Sequence, residues 1–427
     1  MRILVISQYF PPETGATQNR LASLVEGFKE AGHEVYAIAE KPNYPAGIIW
    51  DEYKGGAFKD GMHKTIPVVY TWIWEDRKKK FFTRIRFYLS FVVMAILACF
   101  RIKGKFDVVV ASSPPLFVGI AGWAISRIKG AKYVFDVRDL WPDVAIAMGE
   151  LRNKRAASLA KSVEKFIYRK AHGITAVTDS FCEDIQRMVG GEKMIRRFTN
   201  GTVPEIFEVN KSKVALRQEL NLSEKYYVLF AGNMGLAQGL DHVVDAANIL
   251  QQKAPQVQFL FVGDGVRKAN IATRSKELNL KNIDFLPRVP LKTAARYMNA
   301  ADALLVPLGN NEIYKKFIPS KLFDSMAASK PVLLSVDGEA RKILKEANSG
   351  VYYPAENAEG LANAILTLIK DPEESAAMGA RGCAYVKEHF SRRTVAIKMA
   401  GFLEEVVHGN TAANPVPLSR KEKEAVS

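Results

Sequence analysis

The sequence predicts an α/β protein of two domains, each built on a parallel sheet. Three observations carry that expectation. The chain has 427 residues, enough for two cores of about 200 residues each. Short β-rich runs alternate with stretches of helical periodicity through both halves. A turn-rich break at Asn200-Gly201-Thr202-Val203-Pro204 separates the two alternations. Hydrophobic residues make up 48% and charged residues 25%, a globular composition with material for two cores.

Arg2–Ser7 (RILVIS) reads as the first strand, followed by the loop Gln8–Thr17, a helix over 18–31 stopped by Gly32, and a strand over 34–39. The loop lacks the G-x-G-x-x-G fingerprint, so it is not a dinucleotide turn. Gly15 there either turns the chain or lets a diphosphate or sugar approach the backbone. Lys41–Gly47 (KPNYPAG) sets Asn43 and Tyr44 between two prolines at a strand end. Loops at such ends often carry function.

Arg77–Lys105 has the most unusual composition. Arg77, Lys78, Lys79, Lys80, Arg84 and Arg86 precede an uncharged run from Phe87 to Phe100, and Arg101, Lys103 and Lys105 follow it. The run is shorter than the roughly 20 residues that span a bilayer. A core helix accounts for the apolar run but not for basic clusters at both ends. Docking on an anionic membrane face, where each Lys or Arg adds about 1 kcal/mol, accounts for both.

FDVVVA (106–111) reads as a strand closed by Ser112-Ser113-Pro114-Pro115. YVFDV (133–137) runs into Arg138-Asp139-Leu140-Trp141-Pro142-Asp143. Arg138 and Asp139 at that strand end are either a structural ion pair or part of a site, since open α/β sheets bind ligands there. A helix over 154–171 and a strand over 173–177 complete the first half.

In the second half, strands are expected over 227–231, 258–262, 283–285, 303–306, 332–334 and 350–353. Helices are expected over 240–253, 267–278, 291–300, 320–328 and 359–370. Ala231-Gly232-Asn233-Met234-Gly235 and Gly263-Asp264-Gly265 each place glycine after a strand, with Arg267 opening the next helix. The most informative unit is Ala303–Ser335. Its helix begins at Ser320, where free N–H groups and about half a positive charge meet a ligand. Lys315, Lys316 and Lys321 add charge there, and Asp324 suits sugar hydroxyls. An ordinary βαβ unit with a solvated basic loop is the plainer reading. Residues 410–427 are polar and read as a disordered tail.

Cys99, Cys182 and Cys383 are scattered, with no metal-ligand spacing, so a reducing compartment and no metal are expected. MRILVISQYFPPETG does not read as a secretory signal. The formal charge of +15 requires an anionic partner. No nucleic-acid motif is present, so nucleic acid is not expected. That leaves a membrane face or phosphorylated substrates.

QYFPPETG, KPNYPAG, SSPP, DVRDLWPD, NGT, AGNMGLAQGLD, VGDG and PSKLFDSMAASKPV together resemble the family 4 glycosyltransferases of GT-B type. The RDLWP, AQGLD and PSKLF groups resemble the WbuB-like branch, which builds O-antigen, capsule and exopolysaccharide units. The resemblance implies two facing Rossmann-like domains: an acceptor-binding domain over 1–203 and a nucleotide-sugar domain over 204–384. A crossover helix over 385–409 would pack back on the first domain. It implies retaining transfer of an N-acetylated hexosamine, deoxy in some members, from a UDP-sugar to a polyprenyl-diphosphate-linked sugar. That would happen at the cytoplasmic face of the membrane, with no cofactor or metal. Donor contacts would come from Gly15, Gly232, Asn233, Gly265, Arg267, Arg288, Val289, Lys316, Ser320, Lys321 and Asp324. Asn43, Tyr44 and Ser113 would hold the acceptor. Asp139 would stand beside the reacting sugar, with Arg138 keeping it ionised. Two departures stand out. Lys316 occupies the first acidic position of the family's Glu-x7-Glu motif, of which Asp324 keeps the second. The family's basic pair on the diphosphate falls on Gly232 and Gln238. UDP-sugar 2-epimerases share the fold, and a non-catalytic sugar-nucleotide binder is a further reading.

Overall fold

The computed structural model describes residues 1–44, 46–77, 81–147, 151 and 153–409. The first sheet has eight strands in the order Phe58–His63, Ile66–Thr71, Glu34–Glu40, Arg2–Ser7, Val108–Ser112, Lys132–Val137, Gly173–Ala176 and Met194–Arg197. Its neighbours are parallel except the edge pair Phe58–His63 and Ile66–Thr71. That hairpin corrects the all-parallel sheet expected from sequence. Its outer strand, FKDGMH, has no buried residue and no apolar alternation to betray it.

The second sheet has six parallel strands in the order Ile283–Leu286, Val257–Val262, Tyr226–Ala231, Ala303–Val306, Val332–Leu334 and Gly350–Tyr352. Central strands are apolar on both faces because helices cover both. Leu4 and Ile6 join one core of the first domain while Ile3 and Val5 join the other. Side chains of a strand point alternately to its two faces.

The helix expected over 385–409 is broken. Helix Pro372–His389 packs in the second domain against Ser320–Ala327. Ser391 then caps helix Arg392–His408, its side chain accepting from the Thr394 N–H. This last helix lies on the first domain, where Val395, Ala396, Met399, Phe402 and Leu403 share a core with Leu21, Leu24 and Phe28 of helix Ala16–Glu30. The chain therefore passes between domains twice, side by side. Thr202 N–H donates to Phe390 O at 3.0 Å, and Arg392 N–H donates to Thr202 O at 2.8 Å.

Helix Phe81–Ala98 is a layer of the first domain. Phe87, Phe91, Val92, Ala95 and Ala98 pack into a core with Ile38 and Val69. Crossing a bilayer would strip those contacts away, although Thr83–Arg101 has the length and apolarity for it. On the other side Leu89, Val93, Leu97 and, just beyond the helix, Phe100 are exposed by 43–66%. Lys78, Lys79 and Lys80 of the basic segment, and the tail 410–427, lie outside the described residues.

Candidate active site

Loops at the carboxyl ends of both sheets line one cavity of about 1310 Å³. The first domain contributes Thr14, Gly15, Ala16 and Asn19 at the start of helix Ala16–Glu30, with Tyr44 from the next loop. The second contributes Gly232 and Asn233, Asp264 and Gly265, Arg288 and Val289, and Ser320, Lys321 and Asp324. Ten residues picked from sequence thus meet in one cavity: Gly15, Tyr44, Gly232, Asn233, Gly265, Arg288, Val289, Ser320, Lys321 and Asp324.

The geometry around Lys321 answers the missing basic pair. A side chain on Gly232 would place its Cβ 2.5 Å from Lys321 Cε and 3.2 Å from Nζ. Lys321 therefore fills the space that a residue with a side chain would take at 232. Gly232 also sits at φ +134°, a region that suits glycine. The ammonium lies 5.3 Å over the Phe230 ring, a cation–π contact. Burial lowers the Lys321 pKa, and the Asp324 carboxylate opposes that shift. The N-terminus of Ser320–Ala327 opens at the same place, with Pro319 setting an extended entry. A cation and free N–H groups here can take up anionic oxygens.

The loop holding Gly232 is backed by its neighbour. Met234 N–H donates to Asp264 O at 2.8 Å, and Arg267 N–H donates to Met234 O at 3.0 Å. A Cβ on Gly265 would come within 2.4 Å of that same Met234 oxygen, so only glycine lets the two backbones meet.

Asp324 is held by the interdomain linker. The Thr202 hydroxyl donates to its Oδ1 at 2.6 Å. Burial raises the Asp324 pKa, while Thr202, Arg392 and Lys321 act against the rise.

Several expected residues lie elsewhere. Arg267, expected among the donor contacts, is committed to Asp241, with Nη2 2.7 Å from both carboxylate oxygens, and lines a separate depression. Lys316 reaches the other domain, pairing with Asp184 at 2.6 Å. Phe317 stacks edge-on to Phe181 at 5.1 Å, and Glu339 accepts from Ser180 N–H at 2.9 Å, so the three form a clasp on helix Asp179–Val189. Asn43 is buried and spends its amide on Glu40 and the Lys41 carbonyl. Ser113 is buried too, accepting from the Arg138 N–H at 3.2 Å.

Arg138 and Asp139 do not line the cavity. They stand at the end of strand Lys132–Val137, linked to the site electrostatically through Arg392, which acts on both Arg138 and Asp324. Burial raises the Asp139 pKa and Arg138 opposes the rise. Sequence reasoning missed the neighbouring ion pair of Arg20 with Asp136, 4% and 0% exposed. It also missed Glu13, which accepts from the Asn43 and Tyr44 N–H groups and ties the two loops of the first domain together. A single charge inside each apolar or loop segment was the available signal.

Two family models divide the chain between them: "Glycosyl transferase 4-like domain" over residues 15–201 and "Glycosyl transferases group 1" over residues 212–384. The chain belongs to the family 4 glycosyltransferases. Among the similar relatives of this glycosyltransferase is the putative colanic acid biosynthesis glycosyl transferase WcaI of Escherichia coli (strain K12). It is 24% identical over 347 residues, covering 79% of this chain and 84% of the relative. The probable glycosyltransferase WbjE of Pseudomonas aeruginosa is 24% identical over 61% of this chain and 65% of its own length. Among solved structures, sucrose-phosphate synthase from Thermosynechococcus elongatus superposes with a TM-score of 0.71 at 19% identity, over 96% of this chain and all of that one. Anabaena HepE in complex with UDP gives 0.67 at 17% identity, over 95% and 100%. The fold of this glycosyltransferase is GT-B.

Proposed function

We propose that this glycosyltransferase moves an N-acetylated hexosamine from a UDP-sugar to a polyprenyl-diphosphate-linked sugar, with retention at the anomeric carbon, in cell-surface polysaccharide synthesis. The observation that carries the reading is Lys321 packed over Gly232 at the start of Ser320–Ala327, inside a cavity closed from the opposite side by the Gly15 loop and Tyr44. Support for UDP comes from HepE, solved with UDP-glucose. Support for polysaccharide synthesis comes from WcaI and from the amylovoran biosynthesis glycosyltransferase AmsK of Erwinia amylovora.

In this reading the bond between the sugar and the β-phosphate breaks, and the acceptor oxygen bonds the same face of the anomeric carbon. The acceptor proton passes to the departing phosphate. Charge on that phosphate is met by Lys321 and the helix start, so the route needs no metal. Asp324 holds the ribose. Asp139 steadies the cationic sugar after a closing motion brings its strand end to the cavity. The exposed ridge Leu89, Val93, Leu97 and Phe100, flanked by Arg84, Arg86, Arg101, Lys103 and Lys105, docks on the anionic inner face of the membrane. Exposed Trp72 and Trp74, with Arg86 3.9 Å over the Trp74 ring, extend that surface.

The test incubates the protein with membranes holding lipid-linked oligosaccharide and a panel of UDP-N-acetyl sugars. One lipid should gain the mass of one sugar. Asp139→Asn should cut turnover strongly while UDP still binds. No mass gain with any donor, or turnover of free UDP-sugar without acceptor, would sink the reading.

A further inference from the structure

Three arginines converge where the two domains meet, and two of them keep buried donors without a hydrogen-bond partner among the described residues. Arg20 is satisfied: its Nη1 and Nη2 donate to the two oxygens of Asp136 at 2.6 and 3.1 Å. Asp136 is thereby used up, since Ser112 Oγ donates to Oδ2 at 2.6 Å and Thr175 Oγ1 donates to Oδ1 at 2.8 Å. Arg138 lies beside this pair, 9% exposed, with Nε and Nη1 buried and without a hydrogen-bond partner. Arg392 follows, with its Nε likewise buried and unpartnered. Burial holds the Arg138 pKa down to about 10, helped by the like charge of Arg20 and, more weakly, of Arg392. Asp136 and Asp139 act the other way, yet among the described residues no carboxylate bonds the idle Nε and Nη1, so these donors are open to an anionic oxygen from outside the chain.

We propose that Arg138, with Arg392 alongside, forms a subsite for an anionic oxygen group, a phosphate or a carboxylate, carried by one of the substrates. The inference rests on the sugar-transfer reading above and adds a second anion position to it, apart from Lys321. Arg138 is placed by the strand end Lys132–Val137 and by Ser113, which accepts its backbone N–H. Arg392 is placed by the strand-like crossing at Thr202 and Ser391. The subsite thus draws on two segments of the first domain, of which Arg392 also acts on Asp324 of the second. The guanidinium fork suits a planar or tetrahedral oxyanion better than an ammonium would. The anion has two sources. It is either the diphosphate of the donor, compensating for the uncharged Gly232 and Gln238, or an acidic group on the acceptor.

The test is calorimetric titration of inorganic pyrophosphate and of UDP into the full-length protein and its Arg138→Gln and Arg138→Lys variants. Pyrophosphate should bind the wild-type protein, weaken at least tenfold in Arg138→Gln, and weaken less in Arg138→Lys. Arg274→Gln, which loses only a half-exposed pair with Asp245, serves as control and should change nothing. Parallel weakening of UDP assigns the subsite to the donor. Unchanged UDP affinity, with pyrophosphate still bound by UDP-saturated wild type through Arg138, assigns it to the acceptor. Pyrophosphate affinity within twofold of wild type in Arg138→Gln, or no binding to wild type, overturns the proposal. Should the glutamine variant misfold, selenate soaked into wild-type crystals decides. An anomalous peak bonded to Arg138 supports the subsite, and none there overturns it. Failure of UDP alone to bind would count against the donor reading and leave the pyrophosphate result standing.

Discussion

Replacing Lys321 by Met keeps the length of the side chain and removes its charge. The stem continues to fill the space over Gly232, where Cε stands 2.5 Å from a Cβ built on the glycine, so packing is preserved. What is lost is one charge-assisted contact to a phosphate oxygen. Such contacts contribute about 1.5–3 kcal/mol, a factor of roughly 10 to 150 in affinity. The lower end fits better, because the ammonium is half-buried and partly engaged by Phe230 and Asp324. UDP should therefore bind the variant about tenfold or more weakly, measured by calorimetry. Uridine, which lacks the diphosphate, should bind as before. Gly232→Ala should reproduce part of the loss, since its Cβ displaces the lysine and its φ of +134° disfavours any side chain. UDP affinity within twofold of wild type in Lys321→Met, or an equal loss for uridine, would remove the lysine from the diphosphate site.

Glu164 is buried, and burial pushes its pKa from 4.5 up to about 7. The folded state holds a proton there that the unfolded chain releases between pH 4.5 and 7, so stability falls as pH rises through that window, by about 3 kcal/mol in all. Glu164→Gln, which keeps the acceptor for the Tyr168 hydroxyl, should flatten the slope and be the more stable protein at pH 8. Urea midpoints at pH 5 and 8 check this, and identical slopes would contradict it. Lys316→Glu turns the pair with Asp184 into a repulsion. With the lysine 42% exposed, about 1 kcal/mol is at stake. The expected result is a larger radius of gyration in X-ray scattering without ligand, and an unchanged value would show that the clasp does not set the domain angle. Val93→Glu with Leu97→Glu should cut binding to anionic vesicles at least tenfold without lowering the melting temperature, because both side chains are about half exposed. Equal sedimentation with vesicles would exclude that face.

The six strands of the second domain were legible in sequence, because they are short apolar runs closed by glycine loops, whereas its helices Lys213–Glu219 and Glu339–Ala347 and the first part of Pro372–His389 were not. Ala231-Gly232 and Gly263-Asp264-Gly265 mark the cavity directly for that reason. The edge strand Phe58–His63 was invisible, since a strand half in water carries neither an apolar run nor a clean alternation. Charged side chains were the least readable. Lys316 and Arg267 stood in the right loops, yet each is claimed by a carboxylate distant in the chain, Asp184 and Asp241. Such pairings depend on which loops the fold sets side by side, and no local pattern encodes them. The same holds for Arg138, whose neighbours Arg20 and Arg392 come from opposite ends of the sequence.

The placement of Arg392–His408 on the first domain also dictates an order of assembly. Strand Arg2–Ser7 and helix Ala16–Glu30 are translated before the second domain, yet the wall that covers that helix is translated after it. The second domain, an uninterrupted stretch of chain, can close while the earlier one still waits for its final piece. A nascent chain stopped anywhere before residue 392 would show the face of Leu21, Leu24 and Phe28 to solvent, so the half made first is the half finished last.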